Sequence, residues 1–177
     1  HFEGGLAIHN KINYNIDIAT GLGNIGNVYF KQKNYIKALD YYQKALEKNI
    51  EIGNKFNIAR EYGNIANVQS ELKQYDQSFI NHQKALQLNE ELKNKKGIAV
   101  NLQGIGNYYF MLGKYKEALD YTKRANVLAA EINILDVKKE TFNLLSDIYE
   151  KTGQLDSAYI SFKKFIFIIN NFFNIFN

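Results

Sequence analysis

A fixed period constrains this chain more than any local motif, because repetition re-reads every short pattern at once. Three segments align without a gap at a constant offset: GNIGNVYFKQKNYIKALDYYQKAL from Gly23, GNIANVQSELKQYDQSFINHQKAL from Gly63 and QGIGNYYFMLGKYKEALDYTKRAN from Gln103. A fourth, NLLSDIYEKTGQLDSAYISFKKFI from Asn143, keeps the register with weaker identity. Tyr35, Tyr75 and Tyr115 recur at this spacing, as do Asn27, Asn67 and Asn107, and Ala45, Ala85 and Ala125.

The period disposes of one tempting motif. GLGNIG, from Gly21, fits the glycine fingerprint of a dinucleotide site, and the alternating Ile12, Tyr14, Ile16 and Ile18 before it imitate a strand. The next copies read EYGNIAN and NLQGIGN, and neither keeps the three-glycine spacing. One period after the supposed strand, IEIGNKFNIA carries a Gly-Asn break, so a strand-turn-helix does not fit there either.

Each unit reads as two helices. Leu22, Ile25, Gly26 and Tyr29 recur at spacings of three and four, as one face of a first helix requires, and Tyr35, Ala38, Leu39, Tyr42, Ala45 and Leu46 do so for a second. KQKN, ELKQ, MLGK and KTGQ join the two helices within a unit. Gly113 and Gly153 stand where a left-handed backbone suits a tight turn, while Lys33 and Lys73 carry strain there if the geometry is the same. Small residues at Gly26, Ala66 and Gly106, and at Ala38, Ser78 and Ala118, let paired helices approach closely. One pair cannot bury both of its apolar faces, whereas stacked neighbours can, so stability comes largely from nearest-neighbour interfaces. The expected architecture is all-α, a right-handed α-solenoid of antiparallel helix pairs.

Composition narrows the chemistry. With 177 residues and 46% hydrophobic content the chain is long enough for a folded domain. It has no cysteine, which rules out disulfides and thiolate metal sites and leaves the compartment open. A formal charge of +4, with lysines and acids interleaved, reads as solvated surface and argues against nucleic acid as a partner. The chain starts at His1 without a leader pattern, which reads as a piece of a longer protein. FKKFIFIINNFFNIFN at the other end is apolar, but asparagines interrupt it and it is too short to span a membrane as a helix. It reads as a packing helix with an uncovered end.

Leu102, Ile105, Gly106, Tyr109, Gly113, Tyr115, Ala118 and Ala125 carry a resemblance to the tetratricopeptide repeat family over residues 19 to about 170. The resemblance divides the chain into units 19–58, 59–98, 99–138 and 139–177, with 1–18 as the second helix of a truncated preceding unit. Two departures stand out. The period exceeds the family's usual unit of about 34 residues, which lengthens the second helix and its following joint. Proline is absent. The long form resembles repeats of kinesin light chains, of spindle-orientation adaptors, of peptide-pheromone receptors of Gram-positive bacteria and of bacterial sensor regions.

By that resemblance the chain is a non-catalytic scaffold, part of a larger signalling or adaptor protein. It would hold a protein segment or peptide in a concave groove lined by first helices. Carried over position by position, the groove presents Asn24, Asn27, Phe30 and Lys31, then Arg60, Asn64, Asn67 and Glu71, then Gln103, Asn107, Phe110 and Met111, and Asp147. Asn27, Asn67, Asn107 and Asp147 form a ladder. An asparagine both donates and accepts, so it can pair with peptide backbone without reading sequence; the alternative is that these asparagines bond neighbouring helices. Carboxylate-tail receptors of the family use asparagines matched here by Asn27 and Asn64. Gly23, Val100 and Gly104 occupy the places of their cations, which argues against that ligand.

Catalysis has little to draw on. His1 is terminal, His9 lies in the first helix, and His82 falls where Tyr42 and Thr122 are core-facing, so it reads as a packed imidazole. The serines have no base in register and no acidic or histidine cluster has metal-ligand spacing, so no cofactor or metal is expected. The second reading is self-association through an apolar C-terminal surface of Phe165, Phe167, Ile168, Phe172, Phe173 and Phe176.

Overall fold

The computed structural model describes the backbone of residues 2–174 and the side chains of residues 14–170. Every described element is helical: α1 (Phe2–Lys31), α2 (Tyr35–Ile52), α3 (Lys55–Glu71), α4 (Tyr75–Glu91), α5 (Lys95–Met111), α6 (Tyr115–Glu131), α7 (Leu135–Lys151) and α8 (Leu155–Asn174).

One turn design ends these helices. A residue of positive φ recurs at a fixed interval: Lys33 (59°), Gly53 (74°), Lys73 (61°), Lys93 (53°), Gly113 (70°), Asn133 (54°) and Gly153 (75°). The next residue's N–H reaches back to the carbonyl five residues earlier, as in Asn34 to Tyr29 at 2.9 Å, Gln74 to Gln69 at 2.8 Å and Lys114 to Tyr109 at 2.9 Å. This closure satisfies carbonyls that a helix end leaves orphaned. Asn34, Asn54 and Asn94 then cap the next helix, their Oδ1 atoms accepting from the backbone N–H of Lys37, Asn57 and Gly97. The strain expected at Lys33 and Lys73 is present.

Two expectations change. The added length is not confined to the second helix: α3, α4, α5, α6 and α7 all have 17 residues, and the second helices α2 and α8 have 18 and 20, because the same stop falls at every twentieth position. Residues 1–18 are not the end of a separate helix, since α1 passes without a break from Phe2 to Lys31. α3, α5 and α7 begin at residues 55, 95 and 135, four before the unit starts drawn from the sequence at 59, 99 and 139.

The chain forms two compact units, His1–Leu88 and Asn89–Asn177. In the first, Ala38 and Tyr42 of α2 pack with Ile65 and Val68 of α3, backed by Tyr29, Leu39 and Leu46. In the second, Ala118 of α6 packs with Leu144 and Ile148 of α7, and Ala129 with Ala99 and Val137. Small residues do what the pattern predicts. Gly26 faces the Tyr42 ring and Gly106 faces Thr122, while the Ser78 hydroxyl donates to the Ala66 carbonyl at 2.8 Å. His82 is buried, as a packed side chain. Tyr29 stacks on Tyr41 and Tyr109 on Tyr121, each with ring centroids 5.4 Å apart. These tyrosines therefore pack within the helix pairs.

Candidate binding face

In the first unit, α1 and α3 meet across a polar cluster centred on Glu61, which is fully buried. Its Oε1 accepts from Arg60 Nε at 2.9 Å and lies 2.8 Å from Arg60 Nη2; its Oε2 accepts from Asn64 Nδ2 at 2.9 Å. Gly23 of α1 gives the carboxylate its room, since a Cβ there would stand 3.0 Å from Glu61 Oε1. The buried carboxylate is thus met by a cation and an amide, which offsets part of the cost of taking it out of water. Arg60 remains exposed toward solvent.

Beside this cluster Tyr42 donates its hydroxyl proton to Asn27 Oδ1 at 2.8 Å. Burial, then the nearby Glu61 carboxylate, push the Tyr42 phenol up to about 12 against the opposing pull of Arg60. Asn27 therefore has its carbonyl committed to the α2 core, with its side chain otherwise exposed. Asn24 and Lys31 are exposed, and Asn67 is half-buried. Glu71 accepts from the Tyr35 hydroxyl at 2.9 Å, a bond that holds the Tyr35 proton and raises its pKa.

The second unit repeats the plan with other residues. Gln103 and Asn107 of α5 are half-buried and Met111 is exposed. Phe110 lies against Tyr115 with ring centroids 5.8 Å apart, as Phe30 lies against Tyr35 at 5.7 Å in the first unit. Both phenylalanines therefore pack at the joint between paired helices and are half-buried. Asp147 of α7 is half-buried; burial first, then Glu150, raise its pKa, and Lys151 lowers it. On α8, Phe165 and Ile168 line a cleft of about 380 Å³ against Leu135 and Lys139 of α7, while Phe167 is exposed. The side chains of Phe172, Phe173 and Phe176 lie outside the described residues.

Sequence reasoning passed over Glu61. Its counterparts one and two periods on, Asn101 and Thr141, are also buried and polar: Asn101 Nδ2 donates to the Gly97 carbonyl at 2.7 Å, and Thr141 Oγ1 to Asn126 Oδ1 at 3.0 Å. A polar residue recurring at a buried register was the available signal. Among the described residues no group of three or more His, Cys, Asp or Glu could hold a metal, and no helix is long and apolar enough to cross a membrane.

A family model for the tetratricopeptide repeat matches residues 17–78 and 56–125, and a second such model matches 140–168. The chain belongs to the tetratricopeptide repeat family. Tetratricopeptide repeats are in general non-catalytic protein-interaction scaffolds. Solved structures agree with the helical-repeat fold. The aspartyl phosphate phosphatase F of Bacillus subtilis is 25% identical with a TM-score of 0.78, over 88% of this chain and 41% of that one. A Rap protein complexed with competence and sporulation factor is 24% identical with a TM-score of 0.78, over 86% of this chain and 43% of that one. The first tetratricopeptide domain of Spaghetti (RPAP3), bound to the HSP90 peptide SRMEEVD, is 25% identical with a TM-score of 0.61, over 77% of this chain and 94% of that one. This tetratricopeptide chain thus spans less than half the length of the first two of these structures. No curated protein sequence matches it.

Proposed function

We propose that this tetratricopeptide chain is a peptide-binding module, and that the face of α1 and α3 around Arg60 takes an extended segment by its main chain. The observation that carries the reading is the Arg60–Glu61–Asn64 cluster set against Gly23. Glu61 holds the guanidinium by Nε and Nη2, so a fixed donor remains for a ligand carbonyl without the entropy loss of ordering a free arginine. Asn24 and the Asn27 and Asn67 amides stand on the same helices and can bond peptide groups whatever the side chains. In the second unit Gln103, Asn107 and Met111 supply the corresponding contacts on α5.

The likeness to the peptide-bound Spaghetti domain supports a peptide as the ligand class. A terminal carboxylate is a poorer fit than main chain, because Gly23 is backed by the Glu61 carboxylate and like charges repel. The test is selection of a random peptide library displayed on phage against the wild-type chain and against an Asn24→Ala/Arg60→Ala/Asn67→Ala variant shown by circular dichroism to be folded. Peptides enriched on the wild type and lost by the variant are the expected result. Failure to enrich any sequence, or equal binding by both, would overturn the reading.

A further inference from the structure

Leu22, Tyr62, Leu102 and Phe142 share one register, where the first helix of a pair meets its own second helix. In two of the pairs an aromatic ring lies under a lysine: Lys84 Nζ of α4 stands 5.2 Å from the centroid of Tyr62 on α3, and Lys164 Nζ of α8 stands 5.3 Å from that of Phe142 on α7. In the other two the ring gives way to leucine and the cation is held on its own helix. Lys44 pairs with Asp40 at 2.7 Å and lies over Tyr41 at 5.4 Å, while Arg124 reaches Asp120 at 3.6 Å and lies over Tyr121 at 5.3 Å. The ring-bearing pairs have Ile80 and Asn81, and Ile160 and Ser161, at those two positions, so the carboxylate and phenol that hold Lys44 and Arg124 are missing there.

Over Leu102 the missing ring leaves space. A cleft of about 370 Å³ lies there between α5 and α6, lined by Ile98, Leu102, Lys123, Arg124, Val127 and Leu128. Leu102 is buried, Ile98 and Leu128 are half-buried and Val127 is 66% exposed, so the wall is apolar and one side stands open. Around Leu22 the places of Val127 and Leu128 are taken by Glu47 and Lys48, which give that pair no apolar wall. Both helices of the cleft lie inside the second compact unit, and described helices precede and follow them, so the cleft is not an end of the array. Asn107 of the candidate binding face comes nine residues after Ile98, about two and a half turns, and so stands on the opposite side of α5.

We propose that this cleft receives an aromatic side chain of a partner protein, with Arg124 covering its ring as Lys84 covers Tyr62 and Lys164 covers Phe142. The chain itself names the occupant, since the rings it supplies at this register lie beneath the cation that corresponds to Arg124. Burial against Ile98, Val127 and Leu128 supplies the attraction, and the guanidinium adds a cation–π contact. Turning Arg124 onto the ring costs little, because its contact with Asp120 is an exposed pair within one helix. Lys123 keeps its place over the Tyr149 ring of α7, 5.8 Å from the centroid. This site stands apart from the face of α1 and α3 and does not rest on it.

The experiment is fluorine NMR of the peptide acetyl-Gly-Phe-Gly-amide carrying para-fluorophenylalanine, titrated with the 177-residue chain and with variants confirmed as folded by circular dichroism. The fluorine signal is expected to shift saturably, and the unlabelled peptide to reverse that shift several-fold better than its leucine analogue. Leu102→Tyr rebuilds the ring of Tyr62 inside the cleft, and Val127→Asp spoils the wall at an exposed side chain that leaves the core intact. Each is expected to weaken binding at least about tenfold. Arg124→Gln is expected to weaken it about two- to fivefold. The Asn24→Ala/Arg60→Ala/Asn67→Ala variant should bind like the wild type, which tests this cleft and the face of α1 and α3 separately. No saturable shift, equal displacement by the leucine peptide, or unchanged binding by Leu102→Tyr and Val127→Asp would overturn the proposal. So would binding that the triple variant loses and Val127→Asp retains, an outcome that assigns the peptide to the other face. Binding unchanged by Arg124→Gln also counts against it.

Discussion

The ring of Tyr42 occupies the space that Gly26 leaves on α1: a Cβ at Gly26 would lie 2.6 Å from both Cδ1 and Cε1 of that ring. The ring cannot swing aside, since its hydroxyl is tied to Asn27 and its faces pack among Ala38, Ile65 and Val68. Gly26→Ala is expected to cost about 1–3 kcal/mol, the range of an overpacked core. Gly21, one turn earlier, meets nothing within 4 Å. Gly21→Ala is therefore expected to gain about 0.5–1 kcal/mol of helix propensity. Urea unfolding of the pair checks both signs; equal effects would mean that the Gly26–Tyr42 contact does not set the helix spacing.

Glu61 of α3 fills the space that Gly23 leaves on α1. Glu61→Ala leaves Arg60 and Asn64 without their acceptor and opens a hole beside Gly23, and is expected to destabilise by about 2–4 kcal/mol. Glu61→Gln keeps an acceptor for Asn64 but loses the charge that holds Arg60, so its midpoint in urea should fall between those of Glu61→Ala and the wild type. An alanine variant as stable as the wild type would show that the buried carboxylate is dispensable.

The period, the helix pairs, the small-residue contacts and the strained lysines were all legible in the sequence. Each of them is a statement about repetition or local backbone, and the spacing of Gly23, Gly63 and Gln103 reports both. The shared 17-residue length of α3 to α7 was hidden, because a positive-φ residue can be Gly, Lys or Asn, and only the glycines announce themselves. Continuity of α1 was hidden for a related reason: the repeat register places a stop near residue 13, and the chain passes through it as helix. The candidate site was read by position on a helix, which put Arg60, Asn64 and Asn27 on the proposed face. It did not find Glu61, because a residue type that varies among Gly, Glu, Asn and Thr at one register looks like noise until burial is known. The contacts of Phe30 with Tyr35 and of Phe110 with Tyr115 were hidden, since helical phase does not reveal a tyrosine across the turn.

The left-handed lysines can be relieved. Lys33 at φ 59° and Lys73 at φ 61° hold a conformation that Gly113 and Gly153 adopt freely in the same turn. Lys33→Gly and Lys73→Gly are each expected to stabilise by up to about 1 kcal/mol, the left-handed penalty less the added freedom of the unfolded chain. Gly113→Lys should lose a similar amount. Thermal melts of the three variants suffice, and a loss of stability on Lys33→Gly would mean that the lysine's contacts outweigh its backbone strain.

Tyr42 also gives the fold an alkaline limit. Its phenol is pushed up to about 12 from an ordinary 10.0, so between those values the folded chain holds a proton that the unfolded chain has released. Stability from this group is complete below about pH 10 and drains away as the pH rises toward about 12, by at most about 2–3 kcal/mol. Tyr109, whose pKa burial also raises, adds a slope of the same sign. Tyr42→Phe cannot ionise, and at neutral pH it loses only the bond to Asn27, worth about 1 kcal/mol. The unfolding free energies of wild type and Tyr42→Phe, measured from about pH 8 to about pH 12, should therefore start apart with the wild type ahead and draw together or cross above about pH 10. Parallel curves throughout would place the alkaline transition elsewhere in the chain.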